Sequence, residues 1–305
     1  MPLHLCMDYL QLGDSSLMIS RIGLGCMSLD PAKEDTSIRI IHQAVELGIN
    51  YFDTADLYQK GLNEVLVGKA LQSKRKEIIL ATKVGNQLRT NGSGWDWNPR
   101  KEYIIAAVEK SLSRLQTDYI DLYQLHGGTI DDPIDETIEA FEALKQSGKI
   151  RYYGISSIRP NVIREYVRRS RMASVMLQYS LADRRPEESI LNLLQENKIG
   201  VLVRGSLAQG LLVGKHTKEY LGHSESEMQE AVEALRTCSN ENRTVSQTAI
   251  RYVLQHPAVI SAIVGVSKIE QLEDVAGTTG SLGIREGENK ILEESIPPKK
   301  YAEHR

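Results

Sequence analysis

INYFDTADLY, residues 49–58, decides the fold. Ile49, Tyr51 and Phe52 make a short apolar run that reads as a buried strand, and the run stops at Asp53. A carboxylate at the end of a buried strand is unexpected, because a buried charge is costly unless paired. Tyr58 follows five residues later, past a small loop. An acid and a phenol this close suggest proton chemistry, with the rest of the site supplied by other strands.

Outward from this stretch the chain repeats one unit: strand, loop, helix. Residues 8–20 read first as a β-hairpin turning at Gly13-Asp14. RIGLGC is the first strand of the repeat, ending near Gly25, and residues 34–47 carry apolar positions at helical spacing up to Gly48. The second strand ends at Asp53, with a helix over 63–72, and EIILATK ends at Lys83. A polar loop containing NGSGWDWNP leads to a helix over about 100–115. YIDLYQLH ends at His126, and a helix runs from Pro133 to about Gln146. IRYYGIS ends at Ser156, a helix opens at Pro160, SVMLQ ends at Gln178, and a helix runs from Pro186 to about Asn197. IGVLVRG ends near Arg204 and precedes a long insertion, 205–243, with a polar helix. A helix capped by Thr244, the strand VISAIVG ending at Gly265, and the helix SKIEQLEDVAG complete the repeat, with a short helix around 286–295 in the polar tail.

Eight alternations without a low-complexity linker predict a single (β/α)8 barrel spanning 1–305, with an N-terminal hairpin and a long loop after the seventh strand. A doubly wound open sheet is the competing arrangement, but no GxGxxG follows the first strand.

The totals agree with one large domain. At 305 residues, 41% hydrophobic and 25% charged, the chain has the composition of a globular protein with room for a single core. A net charge of −3 offers no electrostatic case for nucleic acid or an anionic membrane. Three scattered cysteines, Cys6, Cys26 and Cys238, suit neither a disulfide framework nor a zinc site and favour a reducing, cytoplasmic setting. The start MPLHLCMDYL lacks the pattern of a signal peptide, and no apolar run reaches membrane-span length. No exposed apolar surface is evident, which favours a monomer.

In such a barrel the site lies at the carboxyl ends of the strands. Those ends carry Gly25, Asp53, Lys83, His126, Ser156, Gln178, Arg204 and Gly265. Singly, Lys83 could reach solvent, His126 could be a core histidine and Asp53 could cap a turn. Together with Tyr58 they converge on one mouth, where barrel interiors otherwise hold Val, Ile and Leu. An ammonium beside a phenol stabilises the phenolate, and a carboxylate holds the ammonium charged and in place. Asp53, Lys83 and Tyr58 therefore read as a tuned general acid, and a neutral His126 as a donor that orients a carbonyl. No GxSxG appears, and no cluster of carboxylates or histidines suggests a catalytic metal. A proton donor beside a polarised carbonyl needs a hydride source, which implies a nicotinamide bound without a Rossmann domain.

DTADLY, ATK, DLYQLH, YGIS and GVSKIEQLED, in this order from about residue 8 to residue 277, resemble the aldo-keto reductases. The motif GVSKIEQL is most similar to bacterial members, whose cofactor motifs resemble those of potassium-channel β-subunits. The resemblance implies an NADPH-dependent reduction of aldehydes or ketones without a metal, with Asp53, Tyr58, Lys83 and His126 as the tetrad. By the same resemblance Gly25 and Met27 lie beside the cofactor, and Ser156 and Gln178 hold the nicotinamide amide. Arg204 would lie beside the nicotinamide ring, and Gly205, Ser206, Leu207, Gln209, Gly210 and Lys215 would fold over the pyrophosphate, where backbone amides and the ammonium neutralise charge. Gly265, Ser267, Lys268, Gln271 and Asp274 would surround the adenosine, with Ser267 and Lys268 favouring a 2′-phosphate and hence NADPH over NADH.

Several positions depart from the family pattern. Ser157 stands where many members have Asn, Arg204 where an aromatic ring usually stacks on the nicotinamide, and Val275 where an adenine-contacting Asn is common. Gly127 and Gly128 replace a frequent Trp-Pro pair, so one wall of the substrate pocket is expected to be absent. Trp95 and Trp97 either line that pocket or only pack their loop. A cofactor-sensing binding protein with slow turnover would keep the same tetrad, and a barrel hydrolase or lyase would bind no nicotinamide. The expected partner is a small carbonyl compound.

Overall fold

A computed structural model describes residues 7–305. Cys6 and the first residues of MPLHLCMDYL lie outside the described residues. The expected hairpin is present: β1 (Tyr9–Gln11) pairs antiparallel with β2 (Met18–Ser20), Leu10 opposite Ile19. Its turn presses against the barrel floor. Gly13 adopts φ +55°, and a β-carbon there would lie 2.5 Å from the Ala173 carbonyl oxygen, so a side chain would force the hairpin off. Leu12, Leu17 and Ile19 close the floor by packing on the inward residues Tyr51, Ile79, Leu122, Met176, Leu202 and Ile263.

The strand–helix repeat then begins with β3 (Ile22–Gly25), α1 (Glu34–Glu46), β4 (Tyr51–Asp53), α2 (Leu62–Leu71) and β5 (Ile79–Val84). A ribbon of β6 (Asn86–Leu88) and β7 (Trp95–Trp97) follows, and then α3 (Lys101–Leu115), β8 (Ile120–Leu125), α4 (Ile134–Gln146), β9 (Ile150–Ser156) and α5 (Pro160–Arg169). The last part comprises β10 (Ser174–Gln178), α6 (Ile190–Glu196), β11 (Gly200–Arg204), α7 (Glu225–Thr237), α8 (Val245–Leu254), β12 (Val259–Val264), α9 (Ile269–Ala276) and α10 (Glu286–Glu294). Eight strands form a closed barrel in the order β10-β11-β12-β3-β4-β5-β8-β9, and every neighbouring pair is parallel. This is the (β/α)8 barrel that the alternation predicts.

Two local expectations fail. The stretch after β5 is not a plain loop but contains the β6–β7 ribbon, with Asn86 opposite Trp97. The helix expected from Pro186 is split: Arg185–Glu188 form one 3₁₀ turn, and α6 starts only at Ile190, after Ser189 at φ −162°. Glu187 explains the separate turn, because it accepts hydrogen bonds from the Tyr179 and Tyr252 hydroxyls at 2.8 and 3.1 Å and from Arg184. The insertion after β11 contains α7, and both α7 and the following α8 open with capping boxes, Ser224 with Glu227 and Thr244 with Gln247.

Among the described residues no helix is long and apolar enough to cross a membrane. None of their His, Cys, Asp and Glu side chains form a group of three or more arranged to hold a metal ion.

Candidate active site

Parallel register carries the strand ends to one rim. Asp53 lies beside Gly25 on β3 and Ala81 on β5, and Lys83 lies beside Gln124 on β8. His126 follows β8 and is tied to β5 by its backbone N–H, which donates to the Val84 carbonyl at 2.7 Å. The small loop after Asp53 turns Tyr58 back over the rim.

Lys83 is 1% exposed and Asp53 is 4% exposed. The ammonium donates to Asp53 Oδ1, to the Thr54 carbonyl at 2.7 Å and to the Tyr58 hydroxyl at 3.4 Å. All three of its protons thus have partners. Burial works against this ammonium, but Asp53 and Tyr58 outweigh burial and raise the Lys83 pKa. Burial also raises Asp53, opposed by Lys83 and by the Gln124 amide, which donates to Asp53 Oδ2 at 3.1 Å. The ammonium also lies 5.0 Å from the Tyr58 ring centre.

The His126 ring meets Tyr58 edge-on at 5.8 Å. Its Nδ1 is buried without a hydrogen-bond partner. Burial, then Lys83 and Arg204, push its pKa down to about 3, so the ring is a neutral imidazole. Cys26 beside this group is buried, and burial raises its thiol pKa, so it is an unreactive packing residue.

These four side chains line a cavity of about 1210 Å³ that runs across the mouth from the β6–β7 ribbon to α9. Gly25, Met27, Ser156, Gln178, Arg204, Gly205, Ser206, Leu207, Gln209, Gly210, Lys215, Gly265, Ser267, Gln271 and Asp274 line it as well. Lys268 does not. It precedes α9 as its N-cap residue, outside the cavity lining.

Gln178 lines the cavity with its amide already committed. Its oxygen accepts from Arg204 at 2.9 Å, and its nitrogen donates to Asp183 at 2.9 Å and to the Tyr220 hydroxyl at 3.2 Å. Reading a ligand amide would require trading one of these bonds. Arg204 is correspondingly held at the rim by Gln178.

The wall expected to be missing beside Gly127 is supplied from elsewhere. A β-carbon on Gly127 would touch the Trp97 ring at 3.5 Å, and one on Gly85 would collide with it at 2.6 Å. The indole N–H donates to both Asp132 carboxylate oxygens at 3.0 Å, and Asp132 also accepts from the Thr129 N–H and hydroxyl. Trp97 therefore both lines the pocket and packs its ribbon.

The site also uses residues that the sequence reading missed. Gln124 was detectable, since it lies on the same inward-facing alternation as His126 and in register with Lys83. The Thr54 carbonyl and the Asp132 anchor leave no comparable pattern.

The aldo/keto reductase family model matches residues 21–295. An uncharacterized oxidoreductase, YqkF of Bacillus subtilis (strain 168), is 51% identical over 97% of this chain and 98% of its own. The holo form of aldo-keto reductase AKR11C1 from Bacillus halodurans superimposes with a TM-score of 0.91 at 49% identity, covering 98% of this chain and 99% of that one. An aldo/keto reductase from Klebsiella pneumoniae, solved in complex with NADP and acetate, has a TM-score of 0.81 at 27% identity, with 98% of both chains covered.

Proposed function

The chain belongs to the aldo/keto reductase family, and from that membership we propose that it is an NADPH-dependent reductase of aldehydes and ketones, built as one barrel unit over residues 1–305. The observation that carries this reading is the buried Asp53–Lys83 pair with the Tyr58 hydroxyl 3.4 Å from Nζ, beside a neutral His126.

The cavity suits a nicotinamide dinucleotide. Its volume of about 1210 Å³ exceeds the ~300–1,000 Å³ typical of a small-molecule site, leaving room for cofactor and substrate together. Its lining offers cations at Arg204 and Lys215 and hydroxyls at Ser206 and Ser267, the groups that phosphate oxygens require. Ser156 and Gln178 would hold the nicotinamide end, residues 205–210 with Lys215 the pyrophosphate, and Gly265, Ser267, Gln271 and Asp274 the adenosine. Preference for a 2′-phosphate is supported by Ser267, which lines the cavity next to the positive end of α9. When bound, the cofactor supplies the hydride.

The chain's own residues supply the proton and the geometry. Lys83 stabilises the anion that forms on the Tyr58 oxygen when the hydroxyl protonates the substrate oxygen. Asp53 keeps Lys83 charged and fixed, and Gln124 and the Thr54 carbonyl fix the pair in turn. His126, being neutral, donates to the carbonyl oxygen without adding a cation near Lys83.

Tyr58→Phe tests the assignment. Turnover should fall by about 10²–10⁴-fold, the usual contribution of a general acid, while NADPH still quenches tryptophan fluorescence with wild-type affinity. Retention of wild-type turnover would remove Tyr58 from the acid role.

A further inference from the structure

Behind the cavity wall formed by Gln178 and Arg204 stands Asp183, which is 2% exposed and does not itself line the cavity. Gln178 ends β10 and Arg204 ends β11, side by side in parallel register. After Gln178 the chain doubles back: the Ser180 N–H donates to the Asp183 carbonyl at 3.2 Å, and the Asp183 N–H to the Ser180 carbonyl at 3.0 Å. This turn returns the Asp183 carboxylate to the Gln178 amide, whose nitrogen donates to Oδ2 at 2.9 Å. Arg185 grips the same carboxylate, its Nε donating to Oδ1 and its Nη2 to Oδ2, both at 2.7 Å. Arg185 is braced in turn against the buried ring of Tyr301, whose centre lies 5.1 Å from the guanidinium carbon.

Charge fixes the direction of the Gln178 amide. Its nitrogen faces the Asp183 anion and the Tyr220 hydroxyl, and its oxygen accepts from the Arg204 guanidinium at 2.9 Å. The amide dipole therefore lies between an anion and a cation in its favourable sense. Turning it over would set N–H against guanidinium and oxygen against carboxylate, losing both bonds. Gly205 keeps the approach close: it adopts φ +74°, and a β-carbon there would lie 3.2 Å from Gln178 Cγ. The Arg204 side chain is exposed, and among the described residues its guanidinium hydrogen-bonds Gln178 alone. A long exposed arginine otherwise samples many rotamers, and the oriented amide selects one of them.

We propose that Asp183 is a positioning residue for the cofactor, acting through Gln178 to hold the Arg204 guanidinium where the nicotinamide end binds. The proposal rests on the reading of this cavity as a nicotinamide site. Asp183 does not reach the cavity, so its influence on a ligand there passes along the hydrogen bonds to Gln178 and on to Arg204. With Asp183 in place, Arg204 is ordered before the cofactor arrives. Without it, the cost of ordering that side chain falls on binding.

A double-mutant cycle on NADPH affinity, read by quenching of tryptophan fluorescence, tests this. Arg204→Ala should raise the Kd about tenfold, the loss of a charged hydrogen-bond donor. Asp183→Ala should raise it about threefold to tenfold in the wild-type background, because an unheld arginine must be ordered on binding. In the Arg204→Ala background the same change should alter the Kd by less than about twofold, since the side chain it positions is gone. A merely structural role would cost the same affinity in both backgrounds, and that result overturns the proposal. Asp183→Ala leaves Arg185 half-buried and unpaired, which is destabilising. If it fails to fold, Asp183→Leu combined with Arg185→Leu removes both charges together and enters the same cycle, with the same expected and overturning results. The wild-type and Arg204→Ala titrations separate this proposal from the reading beneath it. If NADPH does not quench the wild-type protein, the cofactor reading fails and the proposal with it. If it does, but Arg204→Ala leaves the Kd unchanged, the cofactor reading stands and only the Asp183 role fails.

Discussion

His126 shows how one side chain ties the chemistry of the site to the stability of the barrel. A histidine in the unfolded chain takes up a proton near pH ~6.5, whereas the buried ring of His126 does so only at about 3. Between those values the unfolded state holds the extra proton. The contribution of His126 to stability is therefore complete above pH 6.5 and is lost as pH falls toward 3. At pH 5 the loss from this residue is about 2 kcal/mol. Urea unfolding at pH 7.5 and pH 5 should show wild type losing about that much more than His126→Gln between the two conditions; equal losses would mean the ring is not held neutral. The residues that reveal themselves in the sequence are those that break a local rule. Asp53, Lys83 and His126 are legible because each ends a buried strand with a titratable group, and Tyr58 because it follows one closely. The buried pair of Glu64 and Arg114 is not legible in this way, since it joins two helices whose packing no local pattern encodes. The commitments of Gln178 to Arg204, Asp183 and Tyr220 were hidden for the same reason.

At the level of elements, the β6–β7 ribbon is the piece that the alternation did not reveal. Its strands are three residues each and mostly exposed, too short to establish a two-residue period. Its cross-strand pair of Arg89 and Asp96 is exposed and contributes little. What seats the ribbon is Trp97, pressed into the space left by Gly85 and Gly127 and anchored on Asp132. The same anchoring makes Trp97 a rigid wall for the substrate, beside the exposed apolar side chains of Met27, Trp95 and Ile158 on the cavity lining. Asp132→Ala removes a hydrogen bond to a charged acceptor, an interaction of about 1.5 kcal/mol. KM for apolar aldehydes should then rise by about tenfold while kcat stays close to wild type, the pattern of lost uniform binding. A fall in kcat at constant KM would instead place Asp132 in the proton-transfer geometry. The eight barrel strands were legible because they are mainly apolar runs bounded by turn residues, which is how strands buried on both faces appear.

Across the whole molecule, closure joins the two halves of the site. The proposed proton donor and its partners come from β4, β5 and β8, whereas the proposed cofactor contacts come mainly from β9 to β12 and the segments that follow them. The seam between β12 and β3 completes the ring and brings Gly265 alongside Gly25, within 3.5 Å of where a Gly25 β-carbon would lie. The C-terminal region is bound to the same body, since Arg243 is buried and pairs with Glu288 of α10 at 2.8 Å, and Ile296 and Tyr301 are buried. A ligand spanning both halves recognises only the closed barrel, so its binding energy must appear as stability of the barrel as a unit. At a concentration 100 times its Kd, NADPH should add about 2.7 kcal/mol. For a chain of this size that corresponds to a rise in Tm of roughly 5 °C in one cooperative transition. NADH at the same concentration should produce a smaller rise if Ser267 and the start of α9 favour the 2′-phosphate. Differential scanning calorimetry with each cofactor checks both points. Equal shifts would remove the preference for NADPH, and a transition that splits, with only one part moving, would show that the two halves of the barrel do not unfold together.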